Sequence, residues 1–439
     1  MERLVSFVGL LGMVVLAWSM SEDRRRVPWR VVLWGLGLQL LLGLIVLSPT
    51  VQAVAFGFID GGVRRLLSFA EHGADFVFQS VEPHKIMMAD GTMDTFVGRA
   101  SPPVKTFAFW ILPTIIFFSS LMAVGYHLGI MQKLVRGMAW VMQRTMRTSG
   151  AETLSTAANV FLGQTESPLL VKPFVANMTR SELYCVMVGG FANTAGSVLG
   201  AYVGFLSHIP GIAGHLVTSS ILSAPATLVI AKVMIPERGT PVTAGTLETN
   251  DERIDRNVME AAARGATEGM QLAIGVAAML IAFIALSSML DFFLSLAPLS
   301  VCDGRPALGW IDSCQPLSLA RVLGWLFTPL ALLMGVGPSE AGIVGTLLGE
   351  KIVLTEFIAY AHLGEIMSGT TPLSPRAGII ASYALCGFAN FASVGIQIGG
   401  IGAMAPNRRG DLAELGLKAM IGGSLATFMT ACVAGIFMG

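Results

Sequence analysis

The chain has 439 residues, of which 54% are hydrophobic and only 13% charged, and its 28 basic and 28 acidic side chains cancel. Soluble domains carry about 25% charged residues, so this composition leaves too little polar surface to enclose one water-soluble core. Zero net charge also excludes the overall basic field that draws a protein to nucleic acid.

In chain order, apolar runs of bilayer-spanning length predict helices near 3–20, 31–48, 106–128, 181–206, 212–235, 268–297, 376–403 and 414–438, an all-α polytopic membrane fold of eight crossings. The first run, Leu4 to Met20, is followed by Ser-Glu-Asp-Arg-Arg-Arg and not by a small-residue cleavage site, so it reads as an anchor. Segments 51–80, 130–147 and 317–336 mix charge with apolar residues and read as interfacial helices. Segments 150–178 and 338–366 are apolar but carry a polar, charged cluster at their midpoints, so they read as re-entrant hairpins. The resulting organisation is N-terminal spans over 1–105, a first repeat over 106–235, a cytoplasmic connection over 236–267 and a second repeat over 268–439. Arg24, Arg25, Arg26, Arg30, Lys232, Arg238, Arg408 and Arg409 mark the cytoplasmic loops, which puts both termini and the loop between Cys302 and Cys314 outside.

The halves share an order of features. Thr165-Glu166 precedes Phe191-Ala192-Asn193, and Thr355-Glu356 precedes Phe388-Ala389-Asn390. An odd number of crossings separates the two sets, so the repeats are predicted to be inverted, with a substrate site where they meet.

Ionised glutamate at a span centre costs roughly 2.5–3.5 kcal/mol, so Glu166 and Glu356 must be paired, protonated or facing water. In Gly163-Gln164-Thr165-Glu166-Ser167-Pro168-Leu169 the Gly and Pro interrupt a helix and free backbone groups at membrane depth. Gln164, Thr165 and Glu166 supply donors and acceptors suited to the edge of a polar heteroaromatic ring. Asn193 and Asn390 lie in Gly/Ala/Ser-rich span centres, where unwound carbonyls can join side chains around a hard cation or where small residues simply pack helix on helix. Glu152, Glu340, Glu350, Lys351 and Lys172 read as ordinary ion pairs or interfacial charges near the hairpin bases. Cys185, Cys386 and Cys432 read as packing residues, and Cys302 with Cys314 would suit a disulfide if their loop faces an oxidising compartment. No zinc, redox or nucleophile–base motif accompanies the glutamates, which argues against an enzyme.

The run Gly163 to Leu169 resembles the first hairpin tip of the concentrative nucleoside transporter family. Gly196-Ser197-Val198-Leu199, Ser223-Ala224-Pro225-Ala226, Leu354-Thr355-Glu356-Phe357, Cys386-Gly387-Phe388-Ala389-Asn390-Phe391 and Met404-Ala405-Pro406-Asn407-Arg408 follow in that family's order. The resemblance implies a homotrimer in a bacterial inner membrane that couples nucleoside uptake to sodium. It assigns the nucleobase to Gln164, Thr165 and Glu166, with Val198 beneath. Glu356, Asn390 and Ser393 would hold the ribose, and Phe388 would pack close by. Sodium would sit on Asn159, the Leu162 carbonyl, Asn193 and Thr194. Thr355 stands where many members carry Asn, and Asn193 where Ser or Thr is common. Proton coupling through Glu166 or Glu356, and a non-transporting receptor or channel, are the alternatives.

Overall fold

A computed structural model describes residues 2–78, 81–87, 93–99, 106–245, 255–295 and 318–438. The loop carrying Cys302 and Cys314 lies outside them. The helices, in order, are α1 (Glu2–Ser19), α2 (Trp29–Val46), the single turn α3 (Pro49–Val51), α4 (Gly57–Phe78), α5 (Leu112–His127) and α6 (Ile130–Met146). Then come α7 (Gly150–Ala158), the short α8 (Lys172–Val175), α9 (Arg180–Ala192), α10 (Gly196–Phe205), α11 (Ile212–Met234) and α12 (Val258–Ser295). The chain closes with α13 (Leu319–Leu333), α14 (Ala341–Val353), α15 (Glu356–Ser368), α16 (Pro375–Leu385), α17 (Phe391–Met404) and α18 (Arg409–Phe437).

Among the described residues, seven elements are long and apolar enough to cross a membrane: α1, α2, α5, α9 continued by α10, α11, α12 and α18. The stretch 376–403, expected as an eighth crossing, forms the pair α16 and α17, broken between Leu385 and Phe391. Segments 51–80, 130–147 and 317–336 supply α4, α6 and α13. The 81–99 stretch adds one feature that the helical reading did not contain, an antiparallel ladder of β1 (Val81–Met87) with β2 (Met93–Arg99) that pairs Pro83 with Val97. Both strands of a two-stranded ladder are edges, which is where proline is tolerated.

Burial separates a core from a rim. The α9–α10 and α11 crossings are each 89% buried and α18 is 83% buried, whereas α1 and α2 reach 28% and α12 only 12%. α12 also begins at Val258, earlier than the apolar run at 268. Arg264 pairs with Asp255 at 2.8 Å and with Glu268, one turn on, at 2.9 Å, so i,i+4 charge pairing extends the helix beyond its apolar part.

The two ends of the molecule are identified by α1, whose 18 residues span about 27 Å. At its start Glu2 meets Arg376 at 3.3 Å. Just past its end Glu22 meets Arg180 and Lys418, both at 3.2 Å, and Asp23 meets Arg238 at 3.2 Å. The loops marked by positive charge therefore gather at one end, here called the basic end. The first hairpin, α7 to α8, has its base there, where Ser149 Oγ donates to Glu182 Oε1 at 2.5 Å. The second, α14 to α15, has its base at the opposite end, where Ser374 Oγ donates to Glu340 Oε2 at 2.9 Å.

Local chemistry explains where these helices start. Ser149 with Glu152, and Thr179 with Glu182, form capping boxes at the starts of α7 and α9. Thr355, Ser374 and Asn390 cap α15, α16 and α17 with their side chains.

Candidate functional site

Both broken crossings come apart at their Asn residues and cross there backbone to backbone. α9 ends at Asn193, which adopts an extended conformation with φ −123° and ψ 158°, and α10 restarts at Gly196. The Gly196 N–H donates to the Phe161 carbonyl of the first hairpin at 2.9 Å, and the Phe388 N–H donates to the Asn193 carbonyl at 3.3 Å. Gly387 is required at this crossing. Its φ is 153°, and a Cβ there would sit 2.7 Å from the Phe191 carbonyl oxygen.

A cavity of about 140 Å³ opens beside the crossing, room for about five waters at roughly 30 Å³ each. All eight residues expected to hold substrate line it: Gln164, Thr165, Glu166, Val198, Glu356, Phe388, Asn390 and Ser393. The α7–α8 and α14–α15 turns, whose bases lie at opposite ends of the molecule, thus meet in one chamber. Glu166 is exposed to this space, with Oε2 accepting from the Gly163 N–H at 3.3 Å. Glu356, only 2% exposed, is held from two sides, by the Tyr202 hydroxyl on Oε1 at 3.1 Å and the Asn390 amide on Oε2 at 2.8 Å. Asn390 Oδ1 meanwhile accepts from the Ser393 N–H at 2.8 Å, so this side chain both caps α17 and orients the glutamate.

Gln164 bridges the halves. Its Nε2 donates to Ser393 Oγ at 3.2 Å, and its Oε1 accepts from Gln397 Nε2 at 3.2 Å. Gln397, fully buried, also donates to the Met187 carbonyl at 3.2 Å, which fixes which way the Gln164 amide faces. Replacing Gln397 by Leu should free that amide to turn. The expected result is a roughly tenfold rise in the KM of uptake, in line with about 1.4 kcal/mol for the lost orientation, read from initial rates against concentration.

The four residues expected at the cation lie behind this cavity. Asn159 is 1% exposed; its Nδ2 donates to the Ser155 carbonyl at 3.1 Å, while its Oδ1 is buried with no hydrogen-bond partner. Asn193 Oδ1 accepts a short hydrogen bond from Ser223, and Thr194 Oγ1 lies 3.6 Å from Cys386 Sγ. Leu162, half-buried, sits between Asn159 and the tip at Gly163. These are neutral oxygens, the donor type a hard monovalent cation takes. Among the described residues no cluster of three or more His, Cys, Asp or Glu is placed to hold a metal.

Several contributors escaped the sequence reading. Tyr202, fully buried, stacks on Tyr360 at 4.4 Å and meets Phe357 edge-on at 5.0 Å, which fixes the hydroxyl that holds Glu356. Leu272, Val276, Met279 and Leu280 of α12 form an apolar wall facing the hairpin tips. Gln397 carried a readable signal, since it is an amide in the middle of an apolar run. Tyr202 and the α12 wall carried none.

One expectation is corrected. Lys351 is neither interfacial nor paired with a carboxylate: it is fully buried, donates to the Ala384 carbonyl at 2.9 Å and Thr427 Oγ1 at 3.1 Å, and has the Phe428 ring 6.0 Å away. The broken crossing leaves carbonyls free at the end of α16, and a cation at a helix C-terminus satisfies them. Glu152 is ion-paired as expected, with Lys232 at 2.6 Å, and Glu350 Oε2 lies within hydrogen-bond distance of His362 Nδ1 at 2.9 Å. Cys185, Cys386 and Cys432 are buried and free.

Comparison with known proteins assigns the chain. The family model described as the Na+ dependent nucleoside transporter C-terminus matches residues 215–435, its N-terminal counterpart matches residues 8–81, and a nucleoside-recognition Gate model matches residues 108–208. The chain belongs to the sodium-dependent nucleoside transporter family. Solute carrier family 28 member 3 of Mus musculus is 39% identical over 99% of this chain, and the chain spans 59% of that protein's length. Sodium/nucleoside cotransporter 1 of the same species is also 39% identical, with 64% of its length spanned. A transporter of Haemophilus influenzae described as uncharacterized is 38% identical, over 100% of this chain and 99% of its own. Among solved structures, CNTnw in an inward-facing substrate-bound state matches with a TM-score of 0.84 at 37% identity, over 99% of each chain. A doubly substituted CNTnw in an outward-facing state also matches with a TM-score of 0.84, at 37% identity over 100% of each chain. These relatives of the family are transporters, not enzymes.

Proposed function

We propose that this member of the family imports nucleosides by symport with sodium, as a homotrimer in a bacterial inner membrane. The observation that carries the reading is the meeting of Gln164, Glu166, Glu356 and Ser393 in one cavity between oppositely inserted hairpins. The first hairpin offers an amide and a carboxylate, which complement the donor and acceptor edge of a nucleobase. Glu356 offers acceptor oxygens to the ribose hydroxyls, with Asn390 orienting it and Ser393 beside it. Val198 and Phe388 add apolar surface, and the α12 wall closes the far side.

Sodium is the co-substrate in this reading. The unpartnered Oδ1 of Asn159 is a buried oxygen suited to it, with the Leu162 carbonyl, Asn193 and Thr194 nearby. Because Phe161 also accepts the hydrogen bond from Gly196, a cation at that place would tie the first hairpin to the unwound segment and steady Gln164 and Glu166. Sodium then raises nucleoside affinity, and nucleoside raises sodium affinity by the same factor. Transport follows when the body bearing the hairpins moves against α5 and α12, exposing the cavity first to one side and then to the other. Thr355 is compatible with this role, since its Oγ1 accepts from the Ile358 N–H at 3.5 Å and caps α15, as an Asn at that place would.

Uridine uptake into proteoliposomes is expected to rise with an inward sodium gradient, and Asn159→Leu to lose that dependence. Uptake driven equally by a proton gradient without sodium would replace sodium with proton as the coupling ion. Binding without uptake would overturn transport itself.

A further inference from the structure

The basic end of the molecule carries a surface that the transport site leaves unused. On α6 the buried residues Val135, Ala139, Met142 and Met146 recur every three or four positions and face the protein. Two different arcs turn away from them. One is apolar and exposed, with Ile130 at 51%, Leu134 at 48% and Val141 at 40%, within about 40° of each other around the helix axis. The other is basic, with Lys133, Arg136 and Arg144 all exposed and spread over about 80°. Trp140, 58% exposed, lies within the basic arc. No Asp or Glu occurs between residues 128 and 151.

The positive charge continues onto neighbouring elements. Arg30 Nε donates to the Thr145 carbonyl at 3.0 Å, which brings the start of α2 and the exposed Arg24, Arg25 and Arg26 beside the end of α6. Of the acids beside Arg24, Arg25 and Arg26, Asp23 is engaged by Arg26 at 3.6 Å and Arg238 at 3.2 Å, and Glu22 by Arg180 and Lys418. Trp18 and Trp29, 41% and 65% exposed, flank the arginines, and exposed tryptophans of this kind sit at headgroup depth. A soluble acidic partner would have no use for Ile130, Leu134 and Val141, which continue the apolar outer surface of the spans. A bilayer satisfies both arcs at once, with acyl chains against one and phosphates against the other.

We propose that α6 and the start of α2 form a binding surface for anionic phospholipid headgroups in the leaflet at this end. The surface leads directly into the transport machinery. α6 ends at Arg147, whose φ of 56° turns the chain sharply, and the capping box at Ser149 starts the first hairpin two residues later. Lipid held on α6 therefore fixes the base of that hairpin at headgroup depth.

The test uses the full chain in vesicles of phosphatidylcholine with brominated phosphatidylglycerol or brominated phosphatidylcholine, reading tryptophan quenching. Each basic residue near an anionic surface contributes about fivefold. The wild-type protein should favour the anionic lipid by about a hundredfold, three α6 cations at about fivefold each, and Lys133→Gln with Arg144→Gln should lower the ratio about 25-fold. The swap Lys133→Arg with Arg144→Lys should keep the preference, and unchanged association of the Gln variant with phosphatidylcholine would show that it is folded. Equal quenching by both lipids in the wild type, or full preference in the Gln variant, would overturn the proposal. So would loss of the preference on adding soluble glycerol phosphate, which would mark a site for free phosphate.

Discussion

Glu356→Ala is expected to lower the transport efficiency for uridine by about 10²–10⁴. The carboxylate is proposed to accept from two ribose hydroxyls, each hydrogen bond to a charged group contributes about 1.5–3 kcal/mol, and 1.4 kcal/mol is a factor of ten. The loss has a signature that simple misfolding lacks. A nucleoside lacking both ribose hydroxyls should be a poor substrate for the wild-type protein and no poorer for the variant, because the two changes remove the same contact. Equal penalties for the analogue in both proteins would place the ribose elsewhere. Tyr202→Phe should cost less, since Asn390 still holds Glu356 at 2.8 Å.

Lys232→Met is expected to be the most destabilising single change at the basic end. Lys232 Nζ lies 2.6 Å from Glu152 and 3.2 Å from Glu237, with the Lys232 and Glu152 side chains 6% and 1% exposed, and it donates to Ser181 Oγ at 2.9 Å. Removing it leaves Glu152 as a buried carboxylate with Glu237 and Glu182 close by, and breaking one side of a buried pair costs about 3–5 kcal/mol. Thermal unfolding in detergent would show this as a clear fall in Tm. Adding Glu152→Gln to Lys232→Met should recover most of the loss, because the stranded charge goes with it. Two losses that simply add would show that the pair is not coupled. The same cluster joins the capping boxes at Ser149 and Thr179, the two ends of the first hairpin, so the single variant should also loosen the hairpin that carries Gln164.

How much of this was legible beforehand varies with the kind of interaction. The spans followed from apolar run length, because a bilayer leaves an exposed backbone few alternatives to a helix. The hairpin tips followed from a misfit: Glu166 and Glu356 sit where charge is costly, beside residues that interrupt helices. The start of α12 was misplaced because the charges of Arg264 and Glu268 look like loop in a hydropathy reading and become helix-stabilising only at i,i+4 spacing. Lys351 was misread for a related reason. Its partner is not a neighbouring acid but the Ala384 carbonyl, freed by a helix break 33 residues away in sequence.

By itself, then, the sequence determined the helical membrane class, though not the β1–β2 ladder, together with the two glutamate-bearing turns and the breaks at Asn193 and Asn390, since each rests on the chemistry of a few adjacent residues in an apolar solvent. Tertiary structure alone decided which atoms hold them. That the hairpins enter from opposite ends and share one cavity, that Tyr202 and Asn390 grip Glu356, that Gln397 sets the face of Gln164 and that Lys232 locks the hairpin base are contacts between residues tens to hundreds of positions apart. No local pattern encodes such pairs. They arise when the buried crossings pack around two unwound segments and every polar group stranded there has to find a partner.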